Sequence, residues 1–303
     1  MEILNFESEY SFKKPITLAL GFFDSLHLAH REIIKQCKCL AKENDSYSAV
    51  FTFKNNHKSF LAKSSSFLVY DFETRSDILR GLGVDFLFYQ TFDDNFSNIS
   101  PQKFLERLSR LNVKAIVCGF DYTFGKNAQG TVDFLGSFCD KNSIKLMVVP
   151  QIFFDGNKVS TSSIKNYLLQ GDLQNVNILL GESFRYVGKV THGYKIGRKL
   201  GFATANIQLK EDLLLPRDGV YAGYVMVGET KYKAIINLGG RISFGDYKKT
   251  LEVHLLKFSE DLYGKKIIVF FEFFMRNQMR FDDIDDLSKQ LEKDRYQAET
   301  TLK

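Results

Sequence analysis

Several groups of side chains in this sequence have the types and spacing to handle phosphorylated ligands. His27 and His30 follow the apolar run TLALGFF and open an amphipathic segment. Imidazoles three apart at a helix start share a face, and the unpaired backbone N–H groups there already form an anion site. A surface helix start decorated by two histidines would look the same, because a two-residue match carries little information. Thr204 and Asn206 alternate on an extended segment, so a hydroxyl and an amide oxygen face the same way. Hard oxygens of that kind suit Mg²⁺ bridging the phosphates of a nucleoside triphosphate, although Thr and Asn at period two also occur on ordinary half-exposed strands. In TLEVHLLKF, alternation puts Leu251, Val253 and Leu255 on one side and Glu252 and His254 on the other. A glutamate at a barrel mouth could accept the proton of an alcohol that attacks phosphorus; a solvated strand face accounts for it equally. Gly188, Gly193, Gly197 and Gly201 could let backbone amides approach a nucleotide or could simply sit at hairpin corners.

The elements that must position these residues fall into two textures. From Thr17 to Phe153, the strand-like runs TLALGFF, SAVFTF, DFLFYQ, KAIVCG and KLMVVPQIF alternate with helical segments, which implies a parallel sheet flanked by helices. The segment from His30 puts Ile33, Ile34, Cys37, Leu40 and Ala41 on one helical stripe, and Ser100-Pro101 is a capped helix start. Another helix begins near Ser160, and the pair of short helices it opens ends at Leu180-Gly181, a natural domain junction. Beyond Glu182, RYVGKV, GVYAGYVMV, KYKAIINL, LEVHLLKF and KIIVFFEFF are closely spaced strands separated by turn signals, which reads as an antiparallel barrel or sandwich followed by one helix from Asp283.

Composition sets the bounds. A chain of 303 residues exceeds what one core usually serves. The net charge of +5 is spread among acidic residues, so a mixed solvated surface is expected rather than a nucleic-acid groove. The segment from Met1 to Phe12 has no apolar stretch typical of a signal peptide, and no run approaches a membrane span. The cysteines, Cys37, Cys39, Cys118 and Cys139, show no CxxC pair, which fits reduced thiols in a cytosol. With 29 Phe, 14 Tyr and no Trp, the chain is rich in flat apolar surfaces able to hold a planar ligand.

Longer stretches carry a resemblance. LALGFFDSLHLAHREII resembles the GxFDGxHxGHxxLL signature of the FAD synthetase domain, with Ser25 and Ala29 where that pattern has glycine. VCGFDYTFGKNAQGT is similar to the family's VGxDFxFGxxxxG stretch, and Val159 to Lys165 to its SSTxIR motif, with Lys165 in place of arginine. Where relatives carry a DPHP-type sequence, this chain has FTFKNNHK, and His57 receives no role. GKVTHGYKIGRKLGFATANI resembles the riboflavin kinase signature GxxxGxxxGRxLGFPTANI, with Ala203 for proline, and TLEVHLLKF resembles ExHLLxF. NLGGRISFGD departs from NxGxRPTF, so the flap over the flavin is expected to differ. The motifs run in the order of the bifunctional bacterial riboflavin kinase/FAD synthetase family, from Thr17 to the C-terminus.

That resemblance implies a nucleotidyltransferase-like Rossmann α/β domain over residues 1–182 and a kinase β-barrel with a terminal helix over 183–303. It implies phosphorylation of riboflavin to FMN and adenylylation of FMN to FAD, with ATP as co-substrate, Mg²⁺ as cofactor, small-molecule substrates and a cytoplasmic setting. By position, Gly21, Asp24, His27, His30, Ser160, Thr161 and Ser162 contact ATP, and His27, His30 and Lys165 serve adenylyl transfer. Gly119, Asp121 and Arg276 border flavin, while Gly188, Gly193 and Gly197 meet the second ATP. Thr204 and Asn206 hold the metal and Glu252 is the kinase base. A monofunctional kinase with a drifted N-terminal domain is the main alternative, and a non-catalytic binding module is another.

Overall fold

A short strand near the N-terminus, β1 (Glu2–Asn5), precedes the runs expected from the sequence: β2 (Ile16–Leu20), β3 (Tyr47–Phe53), β4 (Phe86–Gln90), β5 (Val113–Gly119) and β6 (Lys145–Val149). They belong to a computed structural model that describes residues 1–62, 67–192, 202–241 and 246–303. All pair in parallel, in the order β1-β4-β3-β2-β5-β6. Every residue of the central β2 is buried, as a parallel strand covered on both faces requires. The helix Leu28–Glu43 buries Ile33, Ile34, Cys37, Leu40 and Ala41, the stripe expected from its spacing. Ser100 caps the helix Pro101–Ser109 by accepting from Lys103 N–H.

The run KLMVVPQIF does not continue as one strand. Pro150 follows β6 directly, and since proline cannot donate to a ladder the strand stops there. The chain then makes a small hairpin of β7 (Phe153–Phe154) and β8 (Asn157–Lys158), turning through Asp155 and Gly156 at φ 48° and 74°.

This α/β unit spans Met1–Thr161; a second compact unit covers Ser162–Lys303. The helices Thr161–Gln170 and Leu173–Leu180 lead to Gly181, whose φ of 72° supplies a left-handed C-cap. Strands β9 (Phe184–Thr191), β10 (Ala205–Ile207), β11 (Gly219–Val227), β12 (Thr230–Arg241), β13 (Asp246–Leu255) and β14 (Lys266–Arg276) close into an antiparallel barrel ordered β10-β13-β12-β11-β14-β9. Tyr221, Ile236, Leu251, Val253, Val269 and Phe271 are among its fully buried residues. The helix Ile284–Thr301 follows, capped by Asp283.

Candidate active sites

In the parallel sheet, β2 and β5 are hydrogen-bonded neighbours with Leu20 opposite Cys118. The chain leaving β2 continues to β3 on one side, and the chain leaving β5 continues to β6 on the other. Open α/β sheets form a crevice at such a switch point, outside the carboxyl ends of the strands. Both sequence motifs emerge there, Gly21 to His27 after β2 and Gly119 to Asp121 at the end of β5.

The loop after β2 is held residue by residue. Thr52 Oγ1 donates to Phe22 O at 2.6 Å, Val69 N–H to Asp24 Oδ1 at 2.9 Å and Arg31 Nε to Leu26 O at 3.0 Å. The hydroxyls of Ser25 and Thr161 lie 3.2 Å apart, joining this loop to the Ser160-Thr161 motif. Phe23 and Leu26 adopt φ of 54° and 50°, conformations that non-glycine residues avoid and that need outside support. Ser25 is not among the residues at positive φ, so its backbone makes no demand for the glycine of the family pattern. Gly21 does have a steric reason: a Cβ there would lie 2.8 Å from the Phe23 ring.

His27 caps the helix Leu28–Glu43, its Nδ1 accepting from His30 N–H at 3.2 Å, and the two imidazoles stack with centroids 3.7 Å apart. Only 5% of His27 is exposed, and burial pulls its pKa from 6.5 down to about 4, with Lys158 adding to the fall and Asp121 opposing it. At neutral pH His27 is therefore uncharged. Because Nδ1 is an acceptor, the ring proton sits on Nε2, where it can donate to a phosphate oxygen.

Asp121 is exposed and lies 3.8 Å from Lys158 Nζ, which also sits 5.2 Å from the Phe120 ring centroid. Phe153 is the register partner of Lys158 in the hairpin, and Phe120 and Phe153 are 43% and 59% exposed. Sequence reading missed this aromatic and cationic group, since Lys158 gains its neighbours only through the β7–β8 turn. Ser160 precedes the helix Thr161–Gln170, and Thr161, Ser162 and Lys165 lie in its first turns.

In the barrel, Asn206 on β10 is the direct register partner of Glu252 on β13, which is in turn the partner of Asn237 on β12. Directly opposed residues of antiparallel strands present their side chains on the same face. An amide, a carboxylate and a second amide thus form a row across three strands, and Thr204 lies two residues before Asn206. Leu251 and Val253 are fully buried on the opposite face of β13, and Glu252 is half-buried. Asn237 was not foreseen as a site residue; its Oδ1 accepts from Gln278 Nε2 at 2.9 Å. His254, also facing away from the barrel core, bonds the Ala203 carbonyl through Nδ1 at 2.8 Å, and burial lowers its pKa. It anchors the segment that carries Thr204.

The remaining expected residues are placed as follows. Gly188 lies in β9, where a Cβ would come within 2.4 Å of Ile207 Cγ2, so close packing of β10 on β9 requires glycine. Gly193, Gly197 and the 242–245 part of NLGGRISFGD lie outside the described residues. Arg276 ends β14 and grips Asp294 on the terminal helix, with Nε 2.9 Å from Oδ1 and Nη2 2.6 Å from Oδ2. Its Nη1 donates to Asn277 O at 3.1 Å.

The FAD synthetase family profile matches residues 10–163 and the riboflavin kinase profile residues 180–302. The bifunctional riboflavin kinase/FMN adenylyltransferase of Listeria monocytogenes is 34% identical over 281 residues, covering 91% of this chain and 89% of that one. The chain belongs to the bifunctional riboflavin kinase/FMN adenylyltransferase family. The Bacillus subtilis protein of the same name is 32% identical, covering 93% of this chain and 90% of its own. A crystal structure from Streptococcus pneumoniae, described as a macrolide-efflux protein, superposes with a TM-score of 0.85 at 28% identity, covering 98% of this chain and 97% of that one. Among the described residues of this family member, no helix is long and apolar enough to cross a membrane. As a riboflavin kinase/FMN adenylyltransferase with both domains present, the chain phosphorylates riboflavin to FMN and transfers the adenylyl group of ATP to FMN, so the monofunctional alternative falls away.

Proposed function

We propose that the two reactions use separate residue sets, within residues 183–303 for the kinase and 1–182 for the adenylyltransferase. In the barrel, Glu252 accepts the proton of the ribityl 5′-hydroxyl as its oxygen attacks the γ-phosphorus of ATP and ADP leaves. Among the described residues no cluster of His, Cys, Asp and Glu could hold a metal ion by itself. The neutral oxygens of Thr204 and Asn206 suit an ion shared with substrate, and they would hold Mg²⁺ together with the triphosphate. When bound, Mg²⁺ neutralises charge on the phosphate oxygens. Arg276, kept in one orientation by Asp294, borders the flavin.

Within residues 1–182, an FMN phosphate oxygen attacks the α-phosphorus of ATP and pyrophosphate leaves. That nucleophile is already an anion and needs no base. Catalysis rests on positioning and charge stabilisation: His27 donates from Nε2, while His30, Asp24, the helix start at Ser160, Thr161 and Ser162, and Lys165 hold the triphosphate. Gly21 lets the backbone approach, and Gly119 and Asp121 border FMN, with Phe120 and Phe153 offering rings to the isoalloxazine. The partners are small molecules, with no role for nucleic acid or membrane. The setting is the cytoplasm, where ATP is available and the four free thiols stay reduced.

The observation that carries the kinase assignment is the register that puts Glu252 opposite Asn206. Glu252→Gln keeps shape and removes the base. FMN formation from riboflavin should fall by about 10²-fold or more, the range for loss of a general base, with FAD formation from supplied FMN unchanged. Equal loss of both activities in a folded protein would contradict the assignment.

A further inference from the structure

Arg75 heads the large, fully buried side chains of the described residues, at 1% exposure. It lies in the first turn of the helix Phe72–Gly81, and none of the roles assigned above involves it. Its Nη1 donates to Phe22 O at 2.9 Å and to Thr52 Oγ1 at 3.0 Å; its Nη2 donates to Phe53 O at 2.9 Å and lies 3.4 Å from Lys54 O. One planar fork thus ties the end of β3 to Phe22, the second residue of the loop after β2. The guanidinium also stacks over the Phe22 ring at 5.0 Å and the Phe72 ring at 5.7 Å. Burial lowers its pKa to about 10, and the charges of Asp24 and Asp71 counter that fall.

Stability alone is a poor reason for such a residue. Taking a guanidinium out of water is costly, and well-packed apolar side chains commonly replace buried charges without loss. What the arrangement delivers is geometry. Phe22 O is the point from which the Phe23 to His27 turn departs, with its left-handed residues at 23 and 26.

We propose that Arg75 is a positioning residue for adenylyl transfer: by gripping Phe22 O and the end of β3, it holds the loop that carries Asp24 and His27 where the triphosphate of ATP must lie. The inference rests on reading the His27–His30 loop as the adenylyl-transfer site.

The test uses the full chain with Arg75→Lys, Arg75→Met and Thr52→Val, reading kcat and KM for FAD formation from FMN and ATP. FMN formation from riboflavin is followed in the same preparations, and near-UV circular dichroism and thermal melting report the fold. Lysine keeps the charge but cannot bridge two strand ends. Misplacement of reacting groups by about 1 Å can lower a rate by about 10²-fold, so Arg75→Lys should lose about 30-fold or more in kcat per folded molecule. KM for FMN should stay within about 3-fold, as expected when transition-state geometry rather than substrate binding is lost. Thr52→Val, which deletes the hydroxyl sharing Phe22 O, should lose about 3- to 10-fold, the scale of one hydrogen bond. If Arg75→Met does not fold, the other two variants decide. Wild-type kcat per folded molecule in Arg75→Lys and Thr52→Val, or loss that merely tracks the unfolded fraction, would overturn the inference. Absence of FAD formation by the wild-type chain would instead refute the reading of the site.

Discussion

His27 illustrates how burial decides what a titratable side chain can do. Its folded pKa of about 4 lies below the ordinary 6.5, so the unfolded chain binds the proton more tightly. Stability of the α/β unit is full above about pH 6.5 and is lost progressively as pH falls toward 4. A shift of that size corresponds to up to about 3 kcal/mol. Thermal melts between pH 7 and 4 should show this decline, and His27→Asn should flatten it. The same substitution removes the Nε2 donor and should slow FAD formation by about 10²-fold, the usual effect of deleting a donor to a developing anion, without changing FMN formation. In the barrel, Thr204→Val should raise the Mg²⁺ concentration needed for half-maximal FMN formation, read by metal titration at fixed ATP. An unchanged requirement would remove Thr204 from the metal site.

Among elements, the barrel depends on close strand approach and on one buried ion pair. Gly188→Ala would press a methyl against Ile207 and should cost about 1–3 kcal/mol, as overpacked sites do. Asp294 is 2% exposed and accepts both arms of Arg276. Asp294→Ala leaves a largely covered guanidinium without its carboxylate and should destabilise the second unit by about 3 kcal/mol, measured by urea unfolding. Element type was readable wherever periodicity was strong: the Ile33 to Ala41 stripe, the central strands, the Ser100-Pro101 cap and the Gly181 stop all appear where spacing put them. Strand β1 was not, because EILN buries only Leu4 and belongs to the sheet solely through pairing with β4. The Phe153–Lys158 hairpin was hidden by an apolar run that Pro150 interrupts. Glu252, Thr204 and Asn206 could be singled out by residue type and alternation, whereas the row they form with Asn237 depends on barrel register between distant segments. Arg75 gave no signal at all, since a lone arginine in a helix says nothing about which carbonyls it will meet.

At the scale of the molecule, two units of different architecture present the groups proposed above to handle phosphate: a helix N-terminus at a parallel-sheet switch point, and a polar row on the outer face of a closed barrel. The charge of +5 on an otherwise mixed sequence suits anionic nucleotide substrates without calling for a polyanion. FMN is the product of one site and the substrate of the other, so damage to one should leave a defined intermediate. The most direct test is chromatography of the products formed by His27→Asn and Glu252→Gln, each supplied in turn with riboflavin or FMN plus ATP and Mg²⁺. Independent sites predict that His27→Asn turns riboflavin into FMN that accumulates, and that Glu252→Gln leaves riboflavin untouched yet converts FMN to FAD. A His27→Asn chain that cannot make FMN, or a Glu252→Gln chain that cannot make FAD from FMN, would contradict the account.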